Sequence, residues 1–149
     1  MPRLLIVCIG NPLRSDDGLG WHVAQDLSRG PIPTDVQVVS LHQLTPEVAQ
    51  LLSTTDRVLF VDAAREGVPG SLRYEPVEPR LGAVESHHLS PAGVLGLSRD
   101  LYGRCPGAHL IAVVGESFAI GETFSGVVAA ALPSLMARIQ ELLHSDQNA

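Results

Sequence analysis

Residues 4–20 read LLIVCIGNPLRSDDGLG, and this stretch decides the fold. Its first six residues are apolar without alternation, which is typical of a strand buried on both faces. From Leu19 onward the apolar side chains recur at helical spacing. The stretch therefore predicts a strand, a glycine-flanked turn and a helix. In open α/β sheets such turns lie at the carboxyl ends of the strands, where ligands bind.

Two adjacent carboxylates, Asp16 and Asp17, occupy this turn. A single Asp before a helix commonly serves only as its N-cap, because its side chain accepts a hydrogen bond from the first amides of the helix. With two acids in the turn, one can cap the helix while the other remains free. The pair therefore marks the turn as a candidate functional site.

Length and composition favour one enclosed domain. The chain has 149 residues, of which 45% are hydrophobic, so it is long enough for one buried core and too short for two. We expect a single domain over residues 1–149. The formal net charge is −6 and the ten Lys and Arg residues are scattered, which excludes the basic surface of a nucleic-acid-binding protein.

The apolar segments and the cysteines point to a cytoplasmic protein. Apolar runs such as residues 127–132 are shorter than a membrane span, and the first residues lack the layout of a signal peptide. We therefore expect no membrane partner. Cys8 and Cys105 are too few and too far apart for a disulfide framework or a thiolate zinc site. Cys8 is expected to be a small buried hydrophobic residue.

Further apolar segments predict strands that alternate with helices. Three of them have the character of buried strands, namely residues 36–41, 57–62 and 109–114. Two helices are predicted to begin at Thr45-Pro46 and Ser90-Pro91, because Pro suits the first helical position after a capping residue. In the second of these helices we expect Leu97 and Leu101 to face the core and Gly103 to end the helix.

The remaining segments complete the predicted fold. Residues 71–75 alternate polar with apolar side chains before Pro76, which predicts an antiparallel or peripheral strand. The last helix has apolar residues at helical spacing up to Leu143, and Pro133 within it predicts a kink or a late start. The order of elements predicts an α/β fold, a three-layer α/β/α sandwich with a mostly parallel twisted central sheet.

Parallel strands bring distant residues to one edge of a sheet. Asp16 and Asp17 follow the first strand, Asp62 ends the third, and His87 and His88 precede the helix at Ser90-Pro91. A buried carboxylate without a partner is costly, so Asp62 requires a cation, hydrogen-bond donors or water. We therefore treat these side chains as one candidate site.

Two carboxylates and an imidazole suit a divalent transition metal, with coordination positions left open for substrate or water. Alternatives remain: Asp62 can be held by loop amides, either histidine can be an ordinary loop residue, and two acids can share a proton. The sequence contains no G-x-S-x-G elbow, no H-E-x-x-H helix, no phosphate-binding loop and no G-x-G-x-x-G turn. No role is assigned to the other histidines, which are His22, His42, His109 and His144.

Four sequence elements, in this order along the chain, resemble those of a known family. They are the turn at residues 10–20, the step Val61-Asp62-Ala63, the step Ser86-His87, and residues 115–118 followed by Gly121-Glu122. Together they resemble the hydrogenase maturation proteases, the endopeptidases that trim the C-terminal tail of the large subunit of nickel-iron hydrogenases. The resemblance covers nearly the whole chain, and the turn GNPLRSDDGLG is its most specific part.

The resemblance implies an α/β/α fold and a set of nickel contacts formed by Asp17, Asp62 and His87. His87 is preferred to His88 because it follows Ser86 in the matching step. Asp16 is implied to be the structural partner of the turn or a proton-transfer group, which gives four candidate catalytic residues.

The resemblance also implies the partner and the metal. The partner is the [NiFe]-hydrogenase large-subunit precursor, and the nickel is carried by this substrate rather than by the free enzyme. The protease is expected to be a monomer. Two other functions are considered: a non-catalytic nickel checkpoint or chaperone for the same precursor, and a small-molecule hydrolase or nucleotide binder whose phosphate contact in the turn would be Arg14.

Overall fold

The computed structural model describes residues 2–80, 84–85 and 88–145. The strands are β1 (Leu4–Ile9), β2 (Val36–Leu41), β3 (Arg57–Ala64), β4 (Leu72–Pro76), β5 (Val84–Glu85), β6 (His88–Leu89) and β7 (Gly107–Val114). The helices are α1 (Leu19–Ser28), α2 (Val48–Ser53), α3 (Pro91–Tyr102) and α4 (Gly126–Ser145), and a 3-10 turn (Ser15–Gly18) precedes α1.

Five strands form the central sheet in the order β2-β1-β3-β7-β4, and β5 pairs with β6 separately. The neighbours among β2, β1, β3 and β7 are parallel, whereas β4 pairs antiparallel with β7 at the edge. After β1 the chain continues to β2 at one edge of the sheet, whereas after β3 it continues to β4 at the opposite edge. The carboxyl ends of β1 and β3 therefore flank the crevice in which open α/β sheets bind ligands.

Helices cover both faces of the sheet. Alternate residues of β1 point to opposite faces: Ile6 and Cys8 pack with α1 and α4, and Leu5 and Val7 pack with α2 and α3. The predicted three-layer α/β/α sandwich is confirmed. Cys8 is fully buried as expected, and burial raises the pKa of its thiol to about 12.

Two glycines allow the β1–α1 turn, residues 10–18, to be tightly folded. Gly10 has φ +153°, and a Cβ there would overlap the carbonyl oxygen of Asp17. Gly20 lies in the first turn of α1, where a Cβ would overlap the backbone of Ile9. The helix therefore packs directly against the end of β1, which holds the turn at the carboxyl edge of the sheet.

Two predicted boundaries are wrong. β3 does not end at Asp62 but continues to Ala64, because the ladder with β7 extends to the pair Ala64 and Val114. α2 begins at Val48 rather than at Thr45-Pro46, since the preceding residues form a turn in which the Val48 amide donates to the Thr45 carbonyl at 3.1 Å.

The start and end of α3 are as predicted. The Ser90 hydroxyl accepts a hydrogen bond from the Gly93 amide at 3.0 Å, and Gly103 ends the helix with φ 75°. Leu97 is half-buried against the core. Leu101, expected to face inward, is 64% exposed, because the buried face of α3 is formed by Val94, Leu95 and Ser98.

α4 begins at Gly126 and contains Pro133, so the predicted late start is wrong. By length and composition alone it is long and apolar enough to cross a membrane, and the core helices of globular proteins share these two properties. Its residues Val128, Leu135, Ile139 and Leu143 belong to the core against the sheet. This packing gives α4 a structural role in the outer layer of the sandwich.

Candidate active site

A cavity of about 770 Å³ lies at the carboxyl ends of β1 and β3, and we call it the central cavity. Its walls come from the β1–α1 turn, the segment after β2, the end of β3 and the start of α3. The residues that line it are Ile9, Asn11, Arg14, Asp17, His42, Gln43, Leu44, Asp62, Arg65, Leu89, Ser90 and Pro91. The structure therefore brings Asp17 and Asp62 together, as the sequence predicted.

Asp62 lies near the end of β3 and is half-buried. Its Oδ1 accepts a hydrogen bond from the Ala63 amide at 2.8 Å. Burial raises the pKa of Asp62 to about 7; the Asp17 carboxylate also raises it, whereas the Ala63 amide and Arg65 lower it. A carboxyl group with a raised pKa in a cleft is a candidate functional group, since the fold keeps it there at a cost in stability.

Asp17 is held by the turn itself. Its Oδ2 accepts a hydrogen bond from the Asn11 amide at 3.0 Å, and its own amide donates to the Arg14 carbonyl at 3.0 Å. The Asn11 side chain in turn accepts from the Leu13 amide at 2.9 Å, which closes an Asx turn. The backbone before Asp17 thus fixes this carboxylate at the wall of the central cavity.

Asp16 faces a different part of the molecule and is fully buried. It accepts hydrogen bonds from the amides of Glu116 (2.8 Å), Ser117 (3.0 Å) and Ser125 (2.8 Å) and from the Ser125 hydroxyl (2.8 Å). Burial raises the pKa of Asp16, but these four donors outweigh it and hold the pKa below its ordinary value. Asp16 is not among the described residues that line the central cavity, and its position is that of a structural carboxylate.

His87, the predicted imidazole ligand, lies outside the described residues, and so does Ser86. For His88 the structure describes only the backbone, as part of β6. Within the described ranges, no three His, Cys, Asp or Glu side chains are grouped closely enough to hold a metal ion. The ligand set of Asp17, Asp62 and His87 therefore stays a prediction, of which the structure places two members in one cavity.

Sequence reasoning missed several residues of the central cavity. His42 received no role, yet it lines the cavity together with Gln43. Arg65 also lines it, and its guanidinium lies 4.0 Å from the centroid of the Phe118 ring. The available signal was position: His42 directly follows β2 and Arg65 directly follows β3, at the edge where ligands bind.

The turn is braced against the β7–α4 loop, residues 115–125. Ser15 has φ 51°, a conformation that is uncommon for a residue other than Gly. Its amide donates to the Gly121 carbonyl at 2.8 Å, its hydroxyl donates to the Ala119 carbonyl at 2.8 Å, and the Gly121 amide donates to Leu13 at 2.9 Å. Such strained backbone is characteristic of functional sites whose surroundings hold it in place.

Sequence comparison finds a relative among the curated proteins. No protein-family model matches the chain. The hydrogenase expression/formation protein HupD of Bradyrhizobium diazoefficiens is 28% identical over 117 residues, which cover 74% of this chain and 60% of that protein. The chain thus matches less than two thirds of the length of this curated relative.

Structural comparison finds solved structures with a similar fold. A hydrogenase 2 maturation peptidase from a Thaumarchaeota archaeon is 29% identical with a TM-score of 0.71, over 95% of this chain and 97% of that one. The maturation protease HycI from Thermococcus kodakarensis is 27% identical with a TM-score of 0.74, over 95% and 92%. The chain has the fold of the hydrogenase maturation proteases.

The E. coli maturating endopeptidase HybD shares this fold as well, with a TM-score of 0.80 over 97% of this chain and 93% of that one, at 20% identity. The resemblance to the hydrogenase maturation proteases, inferred from the four sequence elements, is thereby confirmed. The central cavity of this chain contains the two carboxylates that the resemblance implied.

Proposed function

We propose that this protein is an endopeptidase that removes the C-terminal tail of a nickel-loaded [NiFe]-hydrogenase large-subunit precursor. The observation that carries the proposal is the meeting of Asp17 and Asp62 in the central cavity of a chain with the maturation protease fold. Relatives at 27% to 29% identity are named for this activity or for hydrogenase formation.

The nickel is part of the substrate in this proposal. Asp17, Asp62 and His87 would contact it, and the remaining coordination positions would stay with the precursor. Carboxylate and imidazole groups are suitable donors for such an ion. Three donors hold an ion less firmly than a closed site of four, so the protease can bind the nickel transiently without removing it from the precursor.

The raised pKa of Asp62 fits this use. At neutral pH the Asp62 carboxyl is partly protonated. Burial disfavours its negative charge, and the neighbouring Asp17 carboxylate repels that charge. A divalent cation presented by the precursor supplies the missing positive charge and favours the ionised form of both acids. The precursor therefore binds most tightly when its metal is in place, which is the condition that a maturation protease has to sense.

The cleavage step requires an activated water at the scissile bond. A carboxylate of the central cavity would accept a proton from this water and return it to the departing amine. The pKa of Asp62 near 7 applies before the metal-loaded precursor is bound. The Asn11 amide fixes Asp17, and the end of β3 fixes Asp62, so both groups are positioned before the substrate arrives.

The rival function is a nickel checkpoint or chaperone that binds the same precursor without cutting it. Incubation of the purified protein with purified nickel-loaded precursor separates the two, with intact mass measured over time. The protease shortens the large subunit by its tail, and the chaperone leaves the mass unchanged while forming a complex. We further propose that the protein acts as a monomer in the cytoplasm.

A further inference from the structure

A second cavity, of about 530 Å³, uses the same β1–α1 turn, and we call it the apolar groove. Its apolar walls include Pro12, Leu13, Trp21 and Phe124. Leu13 is 56% exposed and Trp21 is 38% exposed. Large exposed apolar side chains grouped around a concave surface mark binding sites, and Trp is enriched among residues that dominate binding energy.

The walls of the apolar groove are held by contacts with the rest of the fold. The hydrogen bonds of Ser15 and Leu13 to the β7–α4 loop hold the turn against the loop, and Phe124 packs on the core of the sandwich. The His22 ring stands edge-on to Phe124, with centroids 5.2 Å apart. Little conformational entropy of the groove is therefore lost when a partner binds, which favours binding.

The occupant is indicated by the turn that the two cavities share. Asn11, Arg14 and Asp17 line the central cavity, whereas the residues between them, Pro12 and Leu13, line the apolar groove. The two cavities therefore border one short turn. A polypeptide whose cleavage site is in the central cavity needs only a few further extended residues to reach the apolar groove.

The charge at the rim of the apolar groove indicates which residue types that segment carries. Glu122 is exposed and lines the groove, and apart from His22 it is the only ionisable side chain among the described lining residues. An acidic residue at the rim favours a basic side chain next to the apolar one and disfavours an acidic segment.

We propose that the apolar groove binds a segment of the precursor that carries a large aliphatic or aromatic side chain beside a basic residue. This inference rests on the proposed function, because the precursor is the polypeptide processed in the central cavity. The groove then contributes to affinity for the substrate, and the carboxylates of the central cavity contribute to cleavage.

Steady-state kinetics with purified nickel-loaded precursor tests the groove. We expect Leu13→Ser and Trp21→Ala each to raise KM about tenfold with kcat unchanged, the effect of losing one well-packed apolar contact. Glu122→Lys is expected to raise KM as well. Leu101→Ser is the matched control, because Leu101 is 64% exposed on α3 and lies outside both cavities, and its KM should equal that of wild type.

A binding measurement that does not depend on cleavage completes the test. Trp21 is the only Trp in the chain, so 5-hydroxytryptophan incorporated there is a label for the groove that can be excited selectively. Adding the unlabelled precursor should lower the quenching of this label by acrylamide.

The outcomes distinguish the two proposals. Normal cleavage, with KM unchanged in Leu13→Ser and Trp21→Ala and no protection of the label, overturns the groove and leaves the protease. Protection of the label without cleavage by the wild type overturns the protease and supports the groove. The labelled protein is also measured without precursor. If its label becomes better protected from acrylamide as the protein concentration rises, the groove binds a second copy of this chain, and the proposed occupant is overturned.

Discussion

The carboxylate of Asp16 accepts two hydrogen bonds from Ser125, one from its amide and one from its hydroxyl, both at 2.8 Å. This pair joins the turn after β1 to the residue that directly precedes α4. Further bonds from Glu116 and Ser117 make Asp16 the link between the turn and the β7–α4 loop. The neighbouring Asp17 is therefore presented to the central cavity from a fixed backbone.

Replacing Asp16 should damage the fold more than replacing its neighbour. Asp16→Asn turns an NH2 group toward backbone donors, and we expect the free energy of unfolding at pH 7 to fall by about 3 kcal/mol. Asp17→Asn disturbs the half-buried bond from Asn11 and should cost less than about 1 kcal/mol. Urea denaturation of both variants measures the difference.

The effect of Asp16 has a definite dependence on pH. Because the folded state lowers the pKa of Asp16, the stabilisation is present above the pKa of the unfolded chain and is lost as the pH falls. The difference in the free energy of unfolding between wild type and Asp16→Asn should therefore become smaller at acidic pH. Equal stabilities of Asp16→Asn and Asp17→Asn at pH 7 would contradict the structural role of Asp16.

Asp62 should show the opposite behaviour. Its folded pKa is about 7, above the ordinary value of 3.8, so the folded state binds more protons than the unfolded state between these values. Stability is lost as the pH rises through this window. The full shift corresponds to about 4 kcal/mol, and the partial exposure of Asp62 reduces this to about 2 kcal/mol.

Asp62→Asn removes this cost, so the variant should be more stable than wild type by about 2 kcal/mol at pH 8 and equal to it near pH 4. Thermal or urea unfolding at the two pH values measures the difference. Asp100→Asn, at an exposed site on α3, is the control for the effect of the Asp-to-Asn substitution itself. A stability difference for Asp62→Asn that does not change with pH would be inconsistent with the raised pKa.

The two histidines before α3 can be separated by mutation. His87→Ala should abolish processing of the nickel-loaded precursor, because the nickel then loses its only nitrogen contact in the proposed set. His88→Ala should process the precursor at a rate close to that of wild type. Cleavage is followed by the intact mass of the large subunit, and circular dichroism checks folding. The reverse result would move the ligand to His88.

Gly20 should tolerate no side chain. A Cβ there overlaps the backbone of Ile9, so Gly20→Ala separates α1 from β1 and should lower stability by at least about 2 kcal/mol. Gly30→Ala is the matched control, since among the described residues no atom apart from its chain neighbours lies within 4 Å of the position that its Cβ would take. The control should be as stable as wild type or slightly more stable. An equally stable Gly20→Ala would mean that α1 packs less closely than described.

The fold could be predicted from the sequence to a large extent. The continuous apolar run of β1, the capping Ser90 and the alternation before Pro76 each reflect local physical chemistry, and each gave the element that the structure shows. Leu101 was misplaced because helical spacing alone does not show which part of an apolar face meets the sheet. The end of β3 was misjudged because pairing with β7 decides where the strand stops.

The candidate site was predictable in part. Asp17 and Asp62 could be joined because parallel strands end at one edge, and the central cavity contains both. A structural role for Asp16 was one of two implied by the resemblance, but its donors could not be foreseen, since they come from a loop one hundred residues later in the chain. The place of His42 in the cavity also depends on the neighbouring positions of β2 and β1, which the local sequence does not encode.

The most direct test of the central claim compares one purified precursor in two forms, with nickel and without it. Each form is incubated with the wild-type protein, and the intact mass of the large subunit is followed by mass spectrometry. We predict loss of the C-terminal tail from the nickel-loaded form alone. Tail removal at the same rate from the nickel-free form would contradict recognition of a metal ion at Asp17, Asp62 and His87.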